Sequence, residues 1–309
     1  MLTAFVPPFE LLSAASAPFI NYRDFVMIQK TLCAALLALT LIPAVCSGET
    51  LYTINTAAST LVRIDSNNGN TSTVGNIGFE FHGADLAFLD GSIYAITAHA
   101  DGFFADAGWS LLKIDPQTAQ LLDEVEILLN GNRPFFMESI GAANGQLYVG
   151  FSPNGTVSTD VGRLNPITGA ITSNFNYSAI PGVNNFFGSF GVDLDGMSSD
   201  PSNPSTLLTL DSDANLISVV RIDPVNVTAS PVSQFTNSAG VDDVAIGVNA
   251  GYMIGGGSLF RMNAGMTGVA QTLTLNPAGF YSGLTIPEPS TYVMAAMGIF
   301  ALLFAWRRK

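Results

Sequence analysis

Four acidic residues at corresponding places along the chain are the main candidates for binding chemistry. They are Asp85, Glu138, Asp193 and Asp243. The first three follow aromatic pairs, which are Phe79 with Phe81, Phe135-Phe136 and Phe186-Phe187. Aromatic faces beside carboxylates are suited to a sugar or a cation, whereas aromatic residues packed between structural units serve only the core. Both interpretations remain open at this point, and ligand binding is the functional prediction.

Nucleophilic and metal-assisted catalysis have little support in the sequence. The histidines His82 and His99 form no H-x-x-x-H pair, and no G-x-S-x-G nucleophile elbow occurs. Asp211–Asp213 begins like a calcium loop, but Leu216 and Ile222 occupy the positions that an EF-hand fills with Gly and Glu. We therefore predict no catalytic residue, no metal site and no cofactor, with Ca²⁺ in such a loop as the weaker alternative.

A short motif of a cation, an aliphatic residue and Asp or Asn recurs five times, at intervals of 40 to 58 residues. The copies are Arg63-Ile64-Asp65, Lys113-Ile114-Asp115, Arg163-Leu164-Asn165, Arg221-Ile222-Asp223 and Arg261-Met262-Asn263. The alternation of polar and aliphatic residues predicts a strand, and Asp or Asn then opens a turn. Periods of this size are typical of propellers and other repeat arrays.

Each repeat predicts four strands. A strand such as Leu51–Ile54 precedes the motif strand, a Thr- and Val-rich strand follows it, and a short strand such as Asp85–Phe88 begins the next unit. Four antiparallel strands form a propeller blade. We predict an all-β fold, a β-propeller of five four-stranded blades, with six if the long unit 163–221 hides a degenerate blade. A β-sandwich is the competing fold, but it does not explain the period.

The two ends of the repeat region predict closure of a ring. The region opens at Leu51 with a strand that corresponds to the second strand of a unit, and residues 281–286 resemble a first strand. Antiparallel pairing of residues 281–286 with residues 51–54 would complete one blade and remove two open sheet edges.

The beginning of the chain predicts export. Lys30 is followed by an apolar core, residues 32–42, and by small residues before Gly48, which is the pattern of a secretory signal peptide. Translation is predicted to start at Met27, with an extended n-region from Met1 as the alternative. Both cysteines lie in this leader, so we expect no disulfide in the mature domain. The Sec translocon and signal peptidase are the expected partners of this step.

The tail predicts membrane anchorage. Pro287, Glu288 and Pro289 precede an uncharged apolar run, residues 291–306, and the chain then continues with Arg307, Arg308 and Lys309. The run is short for a permanent span, but Arg and Lys side chains that reach the interface compensate for part of the length. Cations directly after the run predict that this end faces the cytoplasm. We therefore expect a C-terminal transmembrane helix.

The order Pro-Glu-Pro, Ser-Thr, apolar run and basic cluster resembles the PEP-CTERM sorting signal of Gram-negative bacteria. The resemblance covers about the last 23 residues. It implies recognition and cleavage near Pro287, Glu288 and Pro289 by a membrane-embedded exosortase, after a transient stay in the inner membrane. It also implies a link to exopolysaccharide and biofilm. The predicted domains are an upstream extension 1–26, a signal peptide 27–48, a propeller 49–286 and a sorting signal 287–309.

Charge limits the range of partners. Residues 49–286 contain 21 acidic and 6 basic residues, so the domain is expected to repel nucleic acid. We predict a secreted protein of the cell surface or matrix with a non-catalytic binding or structural propeller. The alternative is an extracellular propeller enzyme, a lyase or glycosidase acting on polysaccharide.

Overall fold

The computed structural model describes residues 49–99, 108–153, 160–180, 194–213, 216–237 and 240–287. These ranges are all β, apart from one short 3-10 helix at Tyr177–Ala179. No helix within them is long enough and apolar enough to cross a membrane. The predicted signal peptide and the predicted membrane segment fall outside the described residues.

The strands of the described ranges form five sheets, each of which is one blade. Blade 1 consists of β21 (Tyr281–Thr285), β1 (Thr50–Asn55), β2 (Thr60–Asp65) and β3 (Thr71–Asn76). Blade 2 consists of β4 (Asp85–Leu89), β5 (Ser92–Ala98), β6 (Trp109–Ile114) and β7 (Leu121–Glu126). Blade 3 consists of β9 (Phe136–Ala143), β10 (Gln146–Ser152), β11 (Asp160–Leu164) and β12 (Ala170–Asn176), with β8 (Leu128–Leu129) added beside β12.

The two remaining blades follow the same order. Blade 4 consists of β13 (Gly196–Ser199), β14 (Leu207–Asp213), β15 (Leu216–Asp223) and β16 (Thr228–Thr236). Blade 5 consists of β17 (Asp243–Ile246), β18 (Gly251–Gly255), β19 (Ser258–Met262) and β20 (Val269–Thr274). The first strands contact one another in a closed circle, from β21 through β4, β9, β13 and β17 back to β21. The predicted five-bladed propeller is confirmed.

Burial decreases from the centre of the ring to its rim. Every residue of the inner strands β4 and β17 is buried, whereas the outer strands β3 and β7 contain no fully buried residue. Five separate hydrophobic clusters fill the spaces between neighbouring blades. Each blade is therefore held by two neighbours, as expected for a repeat array in which units contact only adjacent units.

The recurring motif forms the turn between the third and fourth strand of each blade. Oδ1 of Asp115 accepts hydrogen bonds from the N–H groups of Gln117 (2.7 Å) and Thr118 (3.0 Å), and these bonds hold the pKa of Asp115 below its usual value. Asn165 binds its turn in the same way, through Ile167 and Thr168. The predicted turn is confirmed, because the acceptor side chain satisfies backbone donors that the strand leaves free.

In four of the five blades the cation of the motif lies opposite a tyrosine of the preceding strand, whereas in blade 4 Arg221 lies opposite Leu208. Tyr52 is the register partner of Arg63, and the guanidinium lies 5.6 Å from the centre of the ring. Tyr94 and Lys113 repeat the pair at 5.8 Å. Arg63 also donates to Gln117 Oε1 at 3.0 Å, so that it connects blade 1 to blade 2. Most of the domain's scarce cations therefore serve its packing.

The ring closes as the sequence predicts. Strand β21 pairs antiparallel with β1, with Tyr281 opposite Asn55, Ser282 opposite Ile54 and Thr285 opposite Tyr52. The hydroxyl of Thr53 adds a bond to the carbonyl of Ser282 at 3.2 Å. Blade 1 is thus assembled from both ends of the domain, and β1 is not left as an open edge of its sheet.

Candidate functional site

Two carboxyl groups meet at the centre of the ring. Asp85 opens the inner strand β4 and Asp243 opens β17, and their side chains are only 3% and 0% exposed. The two carboxyl groups are joined by a hydrogen bond. Such a bond requires a proton on one of them, so the pair shares a proton, as closely placed buried carboxylates do.

Backbone donors occupy the oxygens of this pair. Asp85 accepts from the N–H groups of Leu86 and Ile140, both at 2.6 Å. Asp243 accepts from the N–H group of Val244 at 2.6 Å and from that of Leu284. Ile140 belongs to blade 3 and Leu284 to blade 1. The pair therefore connects four of the five blades across the centre of the ring.

The surroundings of the pair oppose its ionisation. Burial raises the pKa of Asp85 to about 7, although hydrogen bonds from Asp243, Ile140 and Leu86 act in the opposite direction. Burial, together with the negative charge of Asp85, raises the pKa of Asp243 well above its usual value. Gly196 allows this close arrangement, because a Cβ there would lie 2.6 Å from Oδ1 of Asp243.

The structure brings together two of the four acidic residues that the sequence singles out. Glu138 lies on the inner strand β9 and is partly exposed. Asp193 lies outside the described residues. The sequence alone shows that Asp85 and Asp243 occupy corresponding positions, because each begins a short first strand. Their contact with each other depends on the geometry of the ring. The prediction that these four residues bind a ligand stays a prediction.

The aromatic residues beside the acids pack into the protein. Phe79 and Phe81 form an edge-to-face pair with ring centres 5.7 Å apart, in the cluster between blades 1 and 2. Phe136 meets Trp109 edge to face at 5.9 Å, between blades 2 and 3. These contacts agree with the packing interpretation of the aromatic pairs.

A cavity of about 330 Å³ opens at the end of the ring where the inner strands finish, which we call the lower end. All five inner strands or the turns after them contribute to its wall. The polar side chains of the wall are Asp90, Asn144, Ser198, Ser199, Asp200 and Thr285. None of the described residues that line this cavity is His, Cys, Lys or Arg. The cavity has the size of a small ligand site.

One carboxylate of the cavity wall, that of Asp200, already accepts hydrogen bonds from side chains of the protein. Asp200 Oδ2 accepts from Arg221 Nε at 2.5 Å and from the Thr206 hydroxyl at 3.0 Å, while Oδ1 accepts from Ser202. Burial alone would raise the pKa of Asp200, but the bonds from Ser202 and Arg221 outweigh it and hold the pKa below its usual value. Asp200 therefore remains ionised and is unsuited to donate a proton.

The two histidines lie outside this cavity. His99 Nε2 is 2.5 Å from the Ser110 hydroxyl, which in turn donates to Glu124 Oε1 at 2.9 Å. The serine hydroxyl therefore lies between the imidazole and the carboxylate, whereas in a charge-relay triad the imidazole lies between the serine and the carboxylate. His82 Nε2 lies 3.9 Å from Glu80 Oε1. The described residues contain no group of three or more His, Cys, Asp and Glu side chains that would hold a metal ion.

The inner strand β21 is followed directly by the C-terminal segment that contains the Pro-Glu-Pro sequence. It ends at Thr285, and Pro287 lies on the rim of the lower cavity. Residues 285–309 match the model of the PEP-CTERM protein-sorting motif. The chain carries a PEP-CTERM sorting motif. This motif implies secretion, transient membrane anchoring and processing by an exosortase on the way to the cell surface.

Comparison with solved structures finds distant likenesses. The nidogen/laminin complex gives a TM-score of 0.49 at 12% identity over 77% of this chain and 98% of that one. Glutaminyl cyclase of Myxococcus xanthus gives 0.40 at 12% identity over 80% and 78% of the two chains. The Dos1 propeller gives 0.36 at 13% identity over 75% and 58%. Comparison with curated protein sequences gives no match.

Proposed function

We propose that this chain is a non-catalytic binding propeller of the exopolysaccharide matrix of a Gram-negative bacterium, delivered through its sorting motif. The observation that carries the proposal is the lower cavity, whose wall offers hydroxyl, amide and carboxylate groups without a basic side chain. Groups of this kind hydrogen-bond the hydroxyl groups of a sugar. A volume of about 330 Å³ suits a single sugar residue or a small branch of a polysaccharide.

The hydrogen bonds that Asp200, Asp85 and Asp243 accept within the protein favour a binding function over catalysis. A glycosidase needs two carboxyl groups on either side of the bond that is broken, one of which must be protonated. In the cavity wall, hydrogen bonds from Ser202 and Arg221 hold Asp200 ionised, so Asp200 is unsuited to be the proton donor of a glycosidase. Asp85 and Asp243 do share a proton, but both are enclosed and bound to backbone N–H groups. These features disfavour a lyase or glycosidase.

A binding experiment tests the proposal. The exported protein is applied to a glycan array and to exopolysaccharide from the producing cells, and the variant Asp90→Asn is compared with Glu138→Gln. Both changes remove one negative charge with little change of shape, at opposite ends of the inner strands. We expect Asp90→Asn to weaken binding several-fold and Glu138→Gln to leave it unchanged.

Three results would contradict parts of the proposal. A loss of binding in Glu138→Gln alone would place the ligand among the acidic residues at the start of the inner strands. Absence of binding to any glycan would overturn the binding function. New reducing or unsaturated ends in the polysaccharide after incubation would establish the enzymatic alternative.

A further inference from the structure

The sorting motif leaves the propeller at its lower end. In an antiparallel blade, the turn after the first strand and the turn after the third strand lie at the same end. Pro287 follows the inner strand β21, so it lies at this end, on the rim of the cavity. Three residues, 288–290, separate Pro287 from Thr291, where the apolar run begins. Such a connection spans at most about 14 Å, so this end of the propeller lies close to any membrane that holds the tail.

Exposed apolar side chains are concentrated at the same end. Ile167 and Val225, 79% and 63% exposed, lie in turns after third strands, and Val248, 62% exposed, lies in the turn after the inner strand β17. They belong to three successive blades. Among the described residues, Phe280 is the one strongly exposed large apolar side chain that precedes an inner strand and so lies at the opposite, upper end.

Charge is distributed unequally between the two ends. The five motif cations all lie two residues before a lower turn, at positions 63, 113, 163, 221 and 261. They partly balance the seven acidic residues at this end, which are Glu49, Asp65, Asp90, Asp115, Asp123, Asp200 and Asp223, with Asp123 directly opposite Lys113. In the described part of the upper end, Arg133 is the single cation, beside acidic residues such as Glu80, Glu138, Asp160, Asp195 and Asp242. An anionic lipid surface would therefore repel the upper end more strongly than the lower end.

We propose that the lower end of the propeller rests on the lipid surface while the tail is anchored. The apolar turns of blades 3, 4 and 5 enter the headgroup region, and the motif cations lie next to anionic lipid. The acidic upper end faces away from the membrane. The lower cavity then opens towards the bilayer until the sorting motif is cleaved. The proposal rests on the anchored tail and not on the sugar-binding function, so the two can fail separately.

Lipid-quenching measurements test this orientation. The full chain, with Cys33→Ser and Cys46→Ser, is reconstituted into vesicles of phosphatidylethanolamine and phosphatidylglycerol that contain headgroup nitroxide lipid. A single fluorescent label is placed through Val248→Cys or, as the matched control of similar exposure, Phe280→Cys. We expect several-fold stronger quenching at position 248 than at position 280. Equal quenching at both positions, or stronger quenching at 280, would overturn the proposal.

A second variant separates lipid contact from mere tethering by the tail. With the label at Val225→Cys, the changes Ile167→Asp and Val248→Asp should reduce quenching several-fold, because charged side chains leave the headgroup region. Unchanged quenching would show that the short tether alone holds this end near the membrane, which contradicts a lipid-binding face. Quenching that appears only when an exosortase is co-reconstituted would assign the face to that enzyme and would also overturn the proposal.

Discussion

Asp85 and Asp243 show how one pair of residues makes the stability of the ring depend on pH. Folding raises the pKa of Asp85 from 3.8 to about 7, so the folded protein holds a proton that the unfolded chain releases. The stabilisation of the folded state by this proton is complete below 3.8, the pKa of Asp85 in the unfolded chain. It is lost as pH rises through about 7, the pKa of Asp85 in the folded protein. The carboxylates whose pKa is lowered, Asp115, Asp200 and Asp223, change protonation below this window.

We therefore expect the free energy of unfolding to fall between about pH 5 and pH 7, by up to about 1.4 kcal/mol per pH unit for each proton released. Denaturant titrations across this range measure the slope. Asp243→Asn removes one of the two ionisable groups and should flatten it. Because the variant retains both histidines, the difference in slope isolates the pair, and parallel profiles for the two proteins would refute the raised pKa values of the two carboxyl groups.

Gly169 illustrates a backbone constraint within the motif turn. Its φ is +67°, and a Cβ there would lie 1.9 Å from the carbonyl oxygen of Glu126 in the neighbouring blade. We expect Gly169→Ala to destabilise the domain by about 2–4 kcal/mol, the sum of left-handed backbone strain and a packing clash. Urea unfolding measures the change.

Val227 provides the matched control for this prediction. It lies four residues after the Asp of its own motif, as Gly169 lies four after Asn165, and it has a φ of +53°. Val227→Gly relieves the backbone strain of the folded state, but it also increases the conformational entropy of the unfolded chain, which opposes folding. The net effect should stabilise the domain by about 0.5–1 kcal/mol. Destabilisation by Val227→Gly, or a neutral Gly169→Ala, would contradict the geometry described for this turn.

At the level of elements, strand order was largely predictable, because each strand, turn and hairpin is specified by residues close together in sequence. The motif turns, the inner strand at Asp85–Leu89 and the pairing of β21 with β1 follow from local patterns. Contacts that depend on the curvature of the ring could not be derived, since no local pattern sets which inner-strand positions face each other. The Asp85–Asp243 pair, the lower cavity and the Arg63 bridge to blade 2 are of this kind.

Strand β21 closes the ring by pairing with β1. Truncation after Asn276 removes it, together with the buried side chains Tyr281 and Leu284 and the Leu284 N–H donor of Asp243. Burial of these two side chains alone contributes about 3–6 kcal/mol, a large part of the 5–15 kcal/mol typical of a domain. We expect this truncation to unfold the propeller, whereas truncation after Ile286, which retains β21, leaves it folded. Thermal unfolding of the two proteins measures the difference, and similar melting temperatures would argue against closure.

At the scale of the whole molecule, the closing strand and the sorting motif are neighbours. Strand β21 ends at Thr285 and the Pro-Glu-Pro sequence begins at Pro287. Cleavage after this strand would therefore release a propeller whose ring is intact. The anchored form and the released form would share one fold, and only the released form would have its lower end free.

The intact mass of the protein released from the cell surface tests whether an exosortase processes the chain. We expect it to lack the residues that follow the Pro-Glu-Pro site, including Trp306, Arg307, Arg308 and Lys309, and to retain β21. Replacement of Glu288 should instead leave the uncleaved chain in the inner membrane. Surface-released protein that still carries an intact Trp306–Lys309 end would contradict processing by an exosortase.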